Sequence, residues 1–290
     1  MPELPEVETM RRGVLPVIGS RILCCERPPC SRRPISIRPR IDALDRRTRG
    51  RQIVSIGRRG KRVMLELDDA QKIVIEPRMT GLVLLTDPPT TDHLRLRIEL
   101  AGGPVKELLF WDRRGLGTVQ LFTAKEFNET VDRRLGVDAL DVSAEQLQQK
   151  LGNSRREVKV ALLDQSAVAG IGNLYAAEIL FLAGVDPRTR CDRLTRPQWS
   201  RIVQATKIVL NQAIRYEGST LSDGTYRNAL NGEGSYQSFH RVYDRAGIVC
   251  PRCSRGKVRR IVQAQRSTFF CPICQRKRGL YKGIEPLVDV

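Results

Sequence analysis

Four cysteines toward the C-terminal end are spaced Cys250-x2-Cys253-x17-Cys271-x2-Cys274. Each pair can present two thiolates to one tetrahedral ion, and the stretch between the pairs is long enough for a β-hairpin, which is the pattern of a zinc site. Four sulfur ligands leave no open position, so one structural Zn2+ would fold its segment and do no Lewis-acid chemistry. Cys24, Cys25, Cys30 and Cys191 have no partner at ligand spacing and read as small core or surface residues. The N-terminus is the second candidate. Removal of Met1 would leave Pro2 with a free secondary amine beside the carboxyl of Glu3. An α-amino group titrates near about 7.7–8.0, so part of it is neutral and nucleophilic at physiological pH, and a neighbouring acid can move protons. A Pro-Glu pair also suits an ordinary helix start, and residue types alone leave both readings open.

The elements that must hold these groups come from a chain of 290 residues, long enough for two domains that each bury a core. Apolar residues make up 41% and charged residues 28%. That balance excludes a disulfide-stapled miniprotein and a disordered chain, and no apolar run reaches the roughly 18 residues of a membrane span. The start, MPELPEVETM, has no apolar signal region, so a reducing cytoplasm is expected. Fifty Lys and Arg against thirty-two Asp and Glu leave a net charge of +18, which favours a polyanionic partner, with nucleic acid foremost. Eleven Lys or Arg and no acid fall between Arg245 and Lys282, around the cysteines, as a footprint for phosphate.

A short helix is expected over 5–18. Strands are expected at Ile53–Ile56, Arg62–Leu67, Ile73–Ile75, Leu82–Leu85, Leu94–Leu100, Val105–Trp111 and Thr118–Phe122, where β-rich runs alternate with Gly, Pro and Asp turns. Helices are expected over 143–150, 156–165, 173–183 and 197–216. The glycine-rich stretch 216–237 reads as a mobile loop. The fold class is α+β: a helix and antiparallel β-sandwich in residues 1–122, a helical domain in 123–240, and the cysteine hairpin with its tail in 241–290.

The motifs MPELPEVETMRRG, GRRGK at 57–61, MTG at 79–81, LLDQSAVAGIGNLYAAEILF at 162–181, CPRC and AQRSTFFCPIC stand in the order found in bacterial formamidopyrimidine-DNA glycosylases. The chain resembles that family over nearly its full length, and the resemblance implies a helix-two-turn-helix domain in the middle and duplex DNA held in a basic cleft. It implies a monomeric bifunctional glycosylase and lyase acting on double-stranded DNA with oxidised purines or abasic sites. Pro2 would attack C1′ of the damaged nucleotide, Glu3 would donate a proton, Lys61 would hold phosphate or donate a proton, and Arg266 would grip phosphate and assist elimination. Met79 would enter the space left by the expelled base, and Arg114 would face the orphaned cytosine. Leu116, a weaker stacking group, stands where the family commonly has phenylalanine. His93, Asn173 and Arg155 match DNA contacts, with Ser154 an alternative to Arg155. A cap on the following helix is a second role open to Asn173. Two further readings remain: an endonuclease VIII-like preference for oxidised pyrimidines, and a non-catalytic zinc-ribbon protein that binds nucleic acid.

Overall fold

The computed structural model describes residues 2–221 and 224–276. It forms two compact units: the first takes in the chain up to Arg134 together with Ala213–Ser238, and the second takes in Leu135–Gln212 and the chain from Phe239 on. The sequence reading placed its boundaries at 122/123 and 240/241. Segment 213–238 joins the first unit because Ser219 donates its N–H to Glu6 at 2.9 Å and Leu85 donates its N–H to the Ala229 carbonyl at 2.9 Å.

In the first unit, proline near the helix start, Glu6 in the first turn and Arg11 and Arg12 in the last turn favour helix α1 over Leu4–Gly13. The expected helix over 5–18 breaks at Val14, and a 3-10 turn follows at Leu15–Val17, where Pro16 has no N–H to continue the ladder. The chain then runs through β1 (Arg21–Glu26), β2 (Ser36–Arg38), α2 (Ile41–Thr48), β3 (Ile53–Arg59), β4 (Arg62–Leu67), β5 (Lys72–Glu76), β6 (Gly81–Leu84), β7 (Leu94–Ala101), β8 (Glu107–Asp112), β9 (Thr118–Phe122) and α3 (Ala124–Thr130). Strands β3 to β9 follow the expected alternation, whereas β1, β2, α2 and α3 were not anticipated.

One sheet has the order β1-β7-β8-β6 and the other β2-β9-β5-β4-β3. Every pairing is antiparallel except β2 with β9, because β2 reaches that edge through a long connection and no hairpin fixes its direction. Both sheets feed one core with α1, including Met10, Ile22, Val63, Leu65, Leu82, Leu96, Phe110 and Val119.

In the second unit, a short parallel pair, β10 (Val137–Asp138) and β11 (Val168–Ala169), accompanies helices α4 (Ala144–Leu151), α5 (Val158–Ala161), α6 (Asn173–Ala183) and α7 (Arg196–Arg215). Helix α7 ends in residues grouped with the first unit. Helix α6 is buried from Leu174 to Ala183, as expected for a helix apolar on all sides. Helix α5 covers only part of the expected 156–165, since the Asp164 carboxylate accepts from the N–H and hydroxyl of Ser166 and competes with helical continuation. The antiparallel hairpin of β12 (Arg259–Gln263) and β13 (Arg266–Phe270) lies between the cysteine pairs.

Candidate active site and nucleic-acid interface

Pro2 and Glu3 are buried at the head of α1. The backbone N–H of Glu3 donates to Glu6 Oε2 at 2.9 Å, forming a capping box, while Glu6 Oε1 accepts from Ser219 at 2.9 Å. One carboxylate thus fixes the N-terminal residues to segment 213–238. At Gly218, φ is +79° and a Cβ would lie 2.9 Å from the Glu6 side chain, so only glycine permits this approach. Burial and then the charge of Glu6 push the Tyr226 phenol well above its ordinary value. Glu6 was not singled out in the sequence; its spacing from Glu3 was the available signal.

Lys61 occupies the two-residue turn between β3 and β4, after Gly60 at φ +57°. The hairpin is clamped to α1 by Glu8, which accepts from Arg11 at 2.9 and 3.0 Å, Arg12 at 2.8 Å and Arg58 at 3.1 Å. Burial alone would raise the Glu8 pKa, but the hydrogen bonds from Arg11 and Arg12 and the charges of Arg11 and Arg58 lower it to about 2.

Met79 is half-buried before β6, and Arg114 and Leu116 are exposed in the loop after β8. Both loops meet at Asp112, which is fully buried. Its carboxylate accepts from Thr80 Oγ1 at 2.5 Å, Arg114 N at 3.2 Å and Gly117 N at 2.7 Å. His93 is half-buried and edge-on to Trp111 at 5.5 Å. Burial, then the positive charges of Arg95, Arg32 and Arg113, lower its pKa, so it is neutral at pH 7.

In the second unit, Gly170 at φ +115° and Gly172 lead into α6, with Gly172 as the cap and Asn173 as the first helical residue. Gln165 braces this turn through the N–H of Gly170 and the carbonyl of Ile171, each at 2.9 Å. The Asn173 side chain accepts from Lys159 Nζ at 2.5 Å and donates to the Ser267 carbonyl at 3.0 Å. It therefore joins α5, the head of α6 and strand β13. Lys159 is fully buried and escaped the sequence reading, which placed the DNA contact of this region at Arg155 or, alternatively, Ser154. Arg155 is exposed, and the Ser154 hydroxyl accepts from Arg156.

Arg266 is exposed at the start of β13, beside Ser267 and directly after a turn in which Ala264 and Gln265 have φ of +45° and +61°. Positive φ at both positions suits the two-residue turn that closes the β12–β13 hairpin, where Gln263 pairs with Arg266.

The four cysteine sulfurs lie within 4.8 Å of one another, with Cys250 to Cys274 at 3.7 Å and Cys253 to Cys271 at 3.8 Å. A tetrahedral ion with bonds of about 2.3 Å requires sulfur separations of about 3.8 Å, so the cluster fits a structural metal. Among the described residues no other group of cysteine, histidine or acid is so placed. Burial pushes the Cys25 and Cys191 thiols up to about 11, which keeps them inert. The cysteine loop is bound to α6: Arg252 donates to the carbonyls of Phe181 at 2.9 Å and Leu182 at 3.1 Å. Fully buried Glu178 accepts from the N–H groups of Arg241, Val242 and Tyr243, which lead to that loop.

Residues 1–119 match the formamidopyrimidine-DNA glycosylase N-terminal domain, 135–225 the formamidopyrimidine-DNA glycosylase H2TH domain, and 247–276 the zinc finger found in FPG and IleRS. The chain is 39% identical over 280 residues to formamidopyrimidine-DNA glycosylase of Chloroflexus aggregans, covering 95% of this chain and 98% of that protein. The crystal structure of MutM (Fpg) from Thermus thermophilus matches with a TM-score of 0.82 at 36% identity, over 94% of this chain and 98% of that one. Lactococcus lactis Fpg in complex with DNA containing an abasic site gives a TM-score of 0.83 at 30% identity, over 95% and 100%. A mutant of the same protein is known with Fapy-dG-containing DNA. With three matching domains in order and relatives covered almost end to end, the chain belongs to the formamidopyrimidine-DNA glycosylase family.

Proposed function

We propose that this DNA repair glycosylase removes oxidised purines, 8-oxoguanine and formamidopyrimidines, from duplex DNA as a monomer and then cuts the strand at the resulting abasic site. The observation that carries the reading is the pairing of Pro2 and Glu3 at the head of α1 with the Lys61 hairpin that Glu8 clamps to the same helix. After Met1 is removed, the Pro2 nitrogen attacks C1′ and the bond from C1′ to the base breaks, the base leaving with a proton. Glu3 protonates the ribose ring oxygen as the ring opens, which leaves an iminium between Pro2 and C1′. The positive iminium acidifies the C2′ proton. Loss of that proton expels the 3′ phosphate, and a second elimination expels the 5′ phosphate and leaves a one-nucleotide gap. Water then hydrolyses the iminium, releasing the sugar remnant as an aldehyde and freeing the Pro2 amine.

Lys61 and Arg266 hold phosphates, Arg266 with a planar fork suited to bidentate contact. The N–H groups at the head of α6, aligned by Gly170 and Gly172, attract a further phosphate, while His93, Arg155 and Asn173 lie along the bound strand. Met79 and Leu116 fill the place of the extruded base, and Arg114 meets the base left opposite. Cys250, Cys253, Cys271 and Cys274 hold one zinc ion that folds the hairpin presenting Arg266.

The deciding experiment is incubation with duplexes containing 8-oxoguanine, a formamidopyrimidine or an oxidised pyrimidine. Base release from the two purine lesions, with phosphates on both sides of a one-nucleotide gap, supports the reading. Release confined to the pyrimidine lesion, or release without strand cleavage, overturns it.

A further inference from the structure

Asp112 ends β8 with no exposed surface, yet none of the donors to its carboxylate comes from the core of the sheet. They come from two loops. Thr80 Oγ1, from the loop after Met79, donates to Oδ1, and the same hydroxyl accepts from Arg114 N at 2.9 Å. Arg114 N also reaches Oδ1, and Gly117 N donates to Oδ2 at 2.7 Å. Arg95, itself buried, donates from Nε to the Asp112 carbonyl at 2.8 Å and fixes the backbone beneath.

The apolar side of the junction is equally close. A Cβ built at Gly81 or Gly117 would lie 2.8 or 2.5 Å from the Phe110 ring, so the roots of both loops rest on one aromatic side chain. Oδ1 takes donors from both loops and Oδ2 takes Gly117, so movement of the 113–117 loop alone would strip the donor from Oδ2, and movement of the Thr80 loop alone would break its bonds to both Asp112 and Arg114 N.

We propose that Asp112 is a positioning residue that couples the loop of Met79 to the loop of Arg114 and Leu116, so that the three side chains enter the space of an extruded base as one body. This rests on the reading of those three as the residues that occupy the vacancy and face the orphaned base. A wedge made of two independent loops must lose the freedom of both on entry, whereas loops already joined in the free enzyme lose less. The coupling also gives the orphaned base a fixed partner in Arg114, which makes Asp112 a determinant of opposite-base discrimination.

The test uses full-length enzyme carrying Asp112→Asn, which retains size but turns one acceptor into a donor facing N–H groups. Thr80→Val removes the bridging hydroxyl more gently, and Thr80→Ser restores it. Amide hydrogen exchange at Arg114 and Gly117 in free protein should quicken about tenfold or more in Asp112→Asn, with the strands of the five-stranded sheet unchanged. Single-turnover excision of 8-oxoguanine from duplex should fall on the order of 10- to 100-fold. The preference for cytosine over adenine opposite the lesion should narrow by at least about threefold. Borohydride trapping on single-stranded abasic DNA, which has no vacancy to fill, should change by less than about threefold.

Thr80→Val should shift each quantity in the same direction, and Thr80→Ser should reverse it. Quickened exchange with unaltered excision and discrimination overturns the proposal, as does a loss of trapping as large as the loss of excision. If Met79→Ala, Arg114→Ala and Leu116→Ala together leave discrimination unchanged, the wedge reading fails and the functional coupling fails with it. The exchange data then report only whether Asp112 holds the loops.

Discussion

Replacing Glu8 with glutamine removes the charge that binds α1 to the hairpin of Lys61 while keeping nearly the same volume. The carboxylate sits among Arg11, Arg12 and Arg58, with its side chain 10% exposed, and its pKa lies at about 2 against an ordinary 4.5. A shift of this size corresponds to about 3 kcal/mol in favour of the charged form. The Arg12 side chain is 57% exposed, so screening by water reduces the expected loss to about 2 kcal/mol. Because the folded pKa is depressed, this stabilisation is fully present above about pH 4.5 and is lost as pH falls toward about 2. The assay is denaturant unfolding followed by Trp111 fluorescence in a Trp199→Phe background, since the chain has only two tryptophans and Trp111 belongs to the first unit. Glu8→Gln should unfold at lower denaturant at pH 7, and the difference should shrink between pH 4.5 and 2. Equal stability at pH 7, or a difference independent of pH, would refute the role assigned to the cluster.

Removal of metal by chelation, or Cys271→Ser, should collapse DNA affinity while the sandwich stays folded, checked by Trp111 fluorescence and a filter-binding titration. Arg266→Ala should flatten the salt dependence of binding to undamaged duplex, in a plot of log affinity against log salt whose slope is about 0.9 per neutralised phosphate. His240 is buried, and burial followed by the charges of Arg245 and Arg241 lowers its pKa to about 4. Below pH 6.5 only the unfolded chain takes up this proton, so stability should fall by about 3 kcal/mol between pH 6.5 and 4 and level off beneath. His240→Gln should lessen that slope in unfolding curves followed through Trp199.

Sequence alternation located strands β3 to β9, and the cysteine spacing located the zinc hairpin, because both are written in residues close along the chain. Helix α2 escaped because its cap, Arg40, makes no side-chain capping bond, so the usual start signal is missing. Helix α3 did carry a Thr123 and Glu126 capping box, but seven residues gave too little periodicity to stand out. The parts of the site that were hidden depend on partners distant in sequence: Glu6 with Ser219, Thr80 with Asp112, and Asn173 with both Lys159 and Ser267. No local pattern encodes such pairs. Asn173 shows the consequence, for a residue read as a DNA contact or a helix cap has its side chain joining three elements of its own unit. The tail from residue 277 lies outside the described residues.

The central claim is that the amine of Pro2 forms the covalent bond to DNA. An amine acylated by any preceding residue becomes an amide, whose delocalised lone pair cannot attack C1′. The direct measurement is peptide mapping by mass spectrometry of enzyme trapped with borohydride on an abasic duplex, alongside a sample that keeps an N-terminal tag. The account predicts a reduced sugar adduct on the peptide that begins at Pro2, and no adduct in the tagged protein although it still binds DNA. An adduct on Lys61, or trapping by the tagged protein at the untagged rate, would contradict it.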